Sequence, residues 1–425
     1  LTVTDGQSGS VTNAGTIGVG ANDAITVNNG GTITNLTNSG IITGLTSNGI
    51  FSQGTISSLT NSGTITGAGY GFQSLGGTIG SLTNSGSILG LGPTFGGIAI
   101  QAGLHGSLTN NASGTISGNI GILFQLSLNT TVINSGTITG SLYGIANPNG
   151  MIDALINDAG ATITGGTRGI SSEGTIGVLT NSGAIAGSTY GIFHRFEKSI
   201  STLTNNVGAT ITGGDSGIFN EGQLAVLTNG GTISGTSFYG VYNSNAITSL
   251  TNNGTIAAGS IGVLNTNSGT IATLTNNGTI MGTAGSFAGI SILGPIGLLT
   301  NNGTITGGEN GVGNFNFQDP TTVLINSGTI AGGQSGILSP FGRFMGTVAN
   351  QGTGAITGGI SAILNIGTIT TLTNSGVITG TSEYGINNFN QFATITTLTN
   401  QAGGVITGGL GGIRNGGTIT TLTNG

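Results

Sequence analysis

Apolar positions along this chain recur with two superimposed rhythms. Within short runs such as Thr64-Ile65-Thr66, one β-branched apolar residue is flanked by small polar ones and the run is closed by Gly or Asn. That alternation of period two predicts short strands bounded by turns. Over a longer distance, an apolar residue, usually Thr and then Asn mark a unit of about 24 residues that fills the whole chain. The apolar anchors run from Val11 and Leu36 to Leu398 and Leu422; there are 18 of them, 23 to 26 residues apart. The residue two past each anchor is Asn without exception. A period so regular identifies a repeat protein, and its architecture governs how every local motif is read.

One unit is clearest from Leu59 to Gly67, Leu-Thr-Asn-Ser-Gly-Thr-Ile-Thr-Gly, followed by Tyr70-Gly71-Phe72 and Gly77-Thr78-Ile79 before Leu82 restarts it. Leu59, Ile65, Phe72 and Ile79 are therefore its core candidates. No segment spaces apolar residues as a helix would over three turns, and the chain carries 88 Gly in 425 residues. Each Gly inside a helix costs roughly 1 kcal/mol relative to Ala, so a helical solenoid is excluded. Three or so short strands per unit are satisfied by winding the chain so that equivalent strands of successive coils pair in parallel. The expected fold is all-β: a right-handed parallel β-helix, or β-solenoid, of about 18 coils, continuous over residues 1–425. Coils about 4.8 Å apart would make it a rod on the order of 80 Å long.

The invariant Asn column has a structural explanation. Asn tolerates the left-handed backbone region, and its amide both donates and accepts hydrogen bonds. Stacked once per coil, Asn61, Asn84, Asn110, Asn134, Asn157, Asn181, Asn205, Asn229, Asn252, Asn276, Asn301, Asn326, Asn350, Asn374 and Asn400 are expected to form an internal ladder that fixes register.

Composition narrows the setting. Only 16 residues are charged, five basic and eleven acidic, giving a net charge of −6, while mean hydropathy is +0.29. That apolar supply argues against disorder, and five basic residues cannot neutralise a phosphate backbone, which excludes nucleic acid as a partner. Cysteine is absent, which suits an extracellular setting, and no apolar stretch is long enough to span a membrane. The chain opens at Leu1 without a signal sequence and closes inside a repeat at Gly425. Its terminal segment Gly417–Leu422 has neither charge nor Pro to block a strand edge, so continuation into further coils or end-to-end docking is expected.

The recurring Leu-Thr-Asn-Ser-Gly-Thr-Ile-Thr-Gly, as at 59–67, with Tyr-Gly-Ile and Gly-Thr-Ile between copies, resembles the repeat-rich passenger regions of bacterial autotransporter surface proteins. The resemblance covers nearly the whole chain. It implies export through a C-terminal β-barrel, which this sequence lacks, and display at the bacterial cell surface as a β-helical stalk. Adhesion and self-association are the functions it implies, with host or surface glycans as further partners.

Candidate chemistry is sparse, and no cofactor or metal site is expected. The carboxylates are scattered; Asp153 or Asp158 with Glu173, and Glu197 with Glu221, are the pairs one coil apart that could approach the separation glycoside hydrolysis needs. Asp215 stands in a Gly-rich turn that does not recur as a calcium repeat would. His105 and His194 lie nearly four coils apart. The densest polar cluster, Phe193-His194-Arg195-Phe196-Glu197-Lys198, lengthens one corner by two residues and is expected to protrude. Alternate Phe residues at Phe315 and Phe317, Phe341 and Phe344, and Phe389 and Phe392 would turn some rings outward as an apolar patch for self-association or sugar rings.

Three function classes follow: a structural or adhesive surface protein, an ice-binding solenoid and a carbohydrate-active enzyme. The first accounts for the repeats and the low charge. The second rests on Thr-X-Thr pairs such as Thr64/Thr66, Thr137/Thr139, Thr162/Thr164, Thr210/Thr212 and Thr304/Thr306, although Ser87 and Leu89, Ala184 and Ala186, and Ala257 or Ala272 interrupt Thr arrays that an ice face would keep regular. The third lacks a carboxylate constellation.

Overall fold

Strand and turn alternate through the whole computed structural model, which describes residues 1–101, 104–126, 130–283, 287–316 and 322–425. There is no helix among the described residues. The chain divides into two compact units, Leu1–Gly214 and Asp215–Gly425. Each is an all-β parallel solenoid whose coils are about 24 residues apart.

A coil of the second unit shows the plan. An anchor strand, Thr368–Asn374, turns a two-residue corner into a second strand, Val377–Gly380. A further corner leads to a third strand, Tyr384–Asn388, and the next anchor strand begins at Thr394. Each strand pairs in parallel with its equivalent one coil on: Leu372 with Leu398, Ile378 with Ile406, Ile386 with Ile413. The first unit is built alike, with Leu155 on Leu179, Ile163 on Ile185 and Ile170 on Ile192. In two of its coils the second and third strands merge into long strands, Thr115–Phe124 and Thr137–Asn147.

Four apolar columns fill each unit. Ile369, Leu372, Ile378 and Ile386 supply one level in the second unit, as Ile56, Leu59, Ile65 and Phe72 do in the first, and all are fully buried. Each such side chain contributes roughly 1.5 to 3 kcal/mol. Within an anchor strand the two inward residues are three positions apart, as at Ile369 and Leu372, so two consecutive residues face outward between them and the strand bends.

The first corner is where the amide ladder sits. In the first unit the Nδ2 of each column Asn donates to the Oδ1 of the next, from Asn13 to Asn38 (2.7 Å) through Asn110 to Asn134 (2.9 Å) and on to Asn181 to Asn205 (2.8 Å). The second unit repeats this from Asn229 to Asn252 (2.8 Å) through Asn326 to Asn350 (2.8 Å) to Asn400 to Asn424 (2.9 Å). The same nitrogen also serves its own corner and the coil beyond: Asn134 Nδ2 reaches Gly136 O at 3.2 Å and Thr162 O at 3.1 Å besides Asn157 Oδ1 at 2.8 Å. Corner backbones stack as well, with the N–H groups of Ser62 and Thr64 donating to Asn38 O and Gly40 O, both at 2.8 Å. At Gly63 a side chain is impossible because its Cβ would overlap the Gly40 carbonyl in the neighbouring coil. Four-residue corners such as 158–161 and 206–209 instead place Gly160 and Gly208 in the left-handed region, at φ of 79° and 80°.

These contacts predict the cost of breaking the ladder. Asn134→Leu keeps the volume but leaves the Asn157 Oδ1 buried without its ladder donor, at roughly 1 to 3 kcal/mol, and removes the Oδ1 that accepts from Asn110 Nδ2. Hydrogen exchange should accelerate at the amides of coils 110–162 in the variant while distant coils of the same unit keep wild-type protection. Unchanged protection around residue 134 would contradict the ladder's role.

Candidate functional site

Because the interior repeats from coil to coil, chemistry that distinguishes one coil from another is confined to corners and outer strand faces. The long corner expected near residue 195 is there. Third strand Tyr190–His194 is joined to anchor strand Ser199–Asn205 by four residues, against two between Ser172 and Thr175. Only part of the expected bump is on the surface. Phe193 is 8% exposed and His194 1%, both within the third strand, whereas Arg195 and Phe196 are exposed. The physical reason is strand alternation: His194 takes the inward place at the strand end that Ser172 takes one coil earlier. Phe193 faces outward under the Arg168 guanidinium, which lies 3.7 Å from its ring centroid and 5.3 Å from that of Tyr143. Arg195 Nη1 pairs with Glu173 Oε2 at 3.0 Å.

The carboxylates expected as candidate pairs occupy different parts of the coil. Asp153 is on the outer face of an anchor strand, Asp158 at a first corner where it accepts from Ser135 Oγ at 2.6 Å, and Glu173 at a third corner in its ion pair. Glu197 belongs to the long corner of the first unit, and Glu221 opens a two-residue corner of the second. Asp215 has its carbonyl bonded by the N–H groups of Phe238 and Tyr239, the ordinary stacking of a corner. Among the described residues no three His, Asp or Glu side chains are grouped to hold a metal ion. The His105 side chain, Phe317 and Asp319 lie outside the described residues.

Aromatic residues separate into two kinds. Phe219 and Tyr242, on the outer face of successive third strands, stack with centroids 4.2 Å apart and planes 2° from parallel. Rings stacked along the coil axis present their edges, so they stiffen the face and offer no ring plane to a sugar. Phe315 lines a recess of about 400 Å³ with Ile261, Leu264 and Phe287. The third corners of the second unit hold the exposed kind. Phe341 is 62% exposed and Phe392 60%, and their rings meet edge to face at 5.5 Å. Phe344 and Phe389 are also exposed. Arg414 lies over the Phe389 ring at 5.1 Å.

Three features escape a reading of the anchor Asn alone. A second amide column closes the third corner: Asn220 donates to Asn243 (2.8 Å), Asn243 to Asn265 (2.7 Å), Asn365 to Asn388 (2.8 Å) and Asn388 to Asn415 (2.7 Å). Its signal was present as Gly217-Ile218-Phe219-Asn220, Gly240-Val241-Tyr242-Asn243 and Gly262-Val263-Leu264-Asn265. On the outside of the first unit, Asn48, Gln73, Gln101 and Gln125 form a further amide chain with bonds of 3.1, 2.8 and 2.8 Å. The second-strand Thr pairs are interrupted in space as in sequence, since Ala184 and Ala186 stand in register between Thr162/Thr164 and Thr210/Thr212. An unbroken array occurs elsewhere: Thr368, Thr370, Thr371 and Thr373 face outward and are repeated in register at 394–399 and 418–423.

No known protein family, curated protein or solved structure matches this chain.

Glu197 is the one described non-Gly residue at positive φ, 67°. A left-handed conformation costs a side chain roughly 1 to 2 kcal/mol, and Asn lowers that cost. Glu197→Asn should therefore raise the stability of the first unit by a few tenths of a kcal/mol to about 1 kcal/mol. Thermal or denaturant unfolding measures it; a loss of stability would show that the Glu197 side chain makes a contact worth more than the strain.

Proposed function

We propose that this chain is a structural and adhesive β-solenoid displayed outside the cell, and that copies of it associate through the aromatic third corners of the second unit. The observation that carries this reading is the pairing of Phe341 and Phe392 on corners of the same face, both rings more than half exposed. Exposed aromatic rings clustered on an otherwise polar surface favour contact with another surface. With only 4% charged residues, little electrostatic repulsion opposes contact between copies. The resemblance of the Leu-Thr-Asn-Ser-Gly-Thr-Ile-Thr-Gly unit to autotransporter passengers supports display at a bacterial surface. A solenoid held by amide ladders supplies the stiff support that such display needs.

The reading is tested by sedimentation velocity over a concentration series. The double variant Phe341→Ser, Phe392→Ser removes two rings that lie outside the core, so folding should be retained while the concentration for half-association rises at least about tenfold, corresponding to roughly 1.4 kcal/mol. Identical association curves would refute it.

The threonine array on the last three anchor strands favours a second reading, ordering of water at an ice surface, because its rows are uncharged and in register. Thermal hysteresis that is abolished by Thr396→Lys, in the middle of the array, would establish this reading; no hysteresis in the wild type would eliminate it.

A further inference from the structure

A smaller recess lies on the outer face of the third strands in the second unit, between the coils that contain Ser361–Asn365 and Tyr384–Asn388. Its volume is about 220 Å³. Leu364, Ile360, Ile366 and Phe389 give it apolar walls, while Glu383, Asn387 and Ser361 supply its polar groups. Asn387 is 1% exposed. Its Nδ2 donates to Glu383 Oε2 across a long 3.4 Å, which fixes the amide orientation, and its Oδ1 is buried without a hydrogen-bond partner. Such an acceptor is costly to leave unmatched and calls for a donor from outside. Glu383 forms no ion pair among the described residues.

Two of the three polar groups are thus acceptors, one of them anionic, and the third, the Ser361 hydroxyl, is itself buried without a partner and can accept from a cation as well. Ligand sites for drug-sized molecules run from about 300 to 1,000 Å³, so this recess is sized for a single long side chain. We propose that it receives one lysine or arginine side chain of a binding partner, with the alkyl stem against Leu364, Ile360 and Ile366 and the cationic head donating to Asn387 Oδ1 and Glu383. Phe389 adds a ring edge or face beside the stem. Arg414, in register with Asn387 one coil on and set over the rings of Phe389 and Tyr384, is a neighbouring like charge that weakens the site without lining it. The inference is independent of the Phe341–Phe392 contact, since neither ring lines this recess.

Titration of the full chain with N-acetyl-lysine methylamide, followed by calorimetry or NMR, tests the proposal against N-acetyl-norleucine methylamide, which has the stem but no ammonium. Saturable binding of the lysine probe is expected, with at least about tenfold weaker binding of the norleucine probe and about tenfold loss in Glu383→Gln. Arg414→Gln should tighten binding by about two- to fivefold through removal of a like charge. Wild-type binding of the lysine probe should also weaken as salt rises, a readout that does not depend on a variant folding. A recess filled by water alone would give no saturable binding. That result, equal binding of the two probes, unchanged affinity in a folded Glu383→Gln, or insensitivity to salt would each overturn the proposal.

Discussion

The hydrogen bond from one asparagine Nδ2 to the Oδ1 of the next, repeated at every first corner within each unit, is the interaction on which the rest of the structure depends. Hydrophobic burial alone does not specify register here, because Ile and Leu columns such as Ile138, Ile163 and Ile185 would pack nearly as well if a coil slipped. A buried amide has no such tolerance. It must find a donor and an acceptor in the adjoining coil, and the third bond to its own corner carbonyl ties strand direction to coil stacking. The third corner shows why the residue is Asn. Where Ser takes the equivalent place, at Ser52 and Ser172, its single hydroxyl hydrogen is given to the corner carbonyl of Gly54 or Gly174, both at 3.1 Å. A hydroxyl has no second hydrogen for the neighbouring coil, whereas the amide of Asn243 reaches both Asn245 O and Asn265 Oδ1.

That constraint also decides where individuality can reside. With the four apolar columns and the first corner fixed, change is tolerated at outer strand faces and at the second and third corners. Both the exposed Phe341–Phe392 pair and the acceptor-lined recess at Glu383 and Asn387 belong to these positions. The stacked Phe219 and Tyr242 belong there too, yet their parallel geometry makes them part of the scaffold. The same residue type therefore serves stiffness or contact according to whether its ring stacks on an equivalent ring one coil away or stands on a corner.

Much of the fold was legible because its determinants are local and periodic. Leu59, Ile65, Phe72 and Ile79 predict four inward columns, and the invariant Asn predicts the ladder; all but Asn424 are found buried. The surface was less legible. Phe193 and His194 read as a protruding cluster because neighbouring charged residues mark a loop, but the strand runs on through His194 and the loop begins only at Arg195. The acceptor recess has no sequence signature: Glu383 and Asn387 line a recess only because Ile360, Leu364 and Ile366 of another coil wall them in. Contacts between coils that differ in sequence are invisible to periodicity, which reports what the coils share.

Side-chain amide exchange tests the central claim most directly. In protein labelled with nitrogen-15 at asparagine, the Nδ2 hydrogens of ladder residues such as Asn134 and Asn326 should exchange with solvent on the slow timescale of buried strand amides, while those of corner residues such as Asn253 and Asn390 exchange rapidly. Equal, rapid exchange of both groups in folded protein would contradict the account, because the amides could not then be the buried, mutually bonded groups that hold the coils in register.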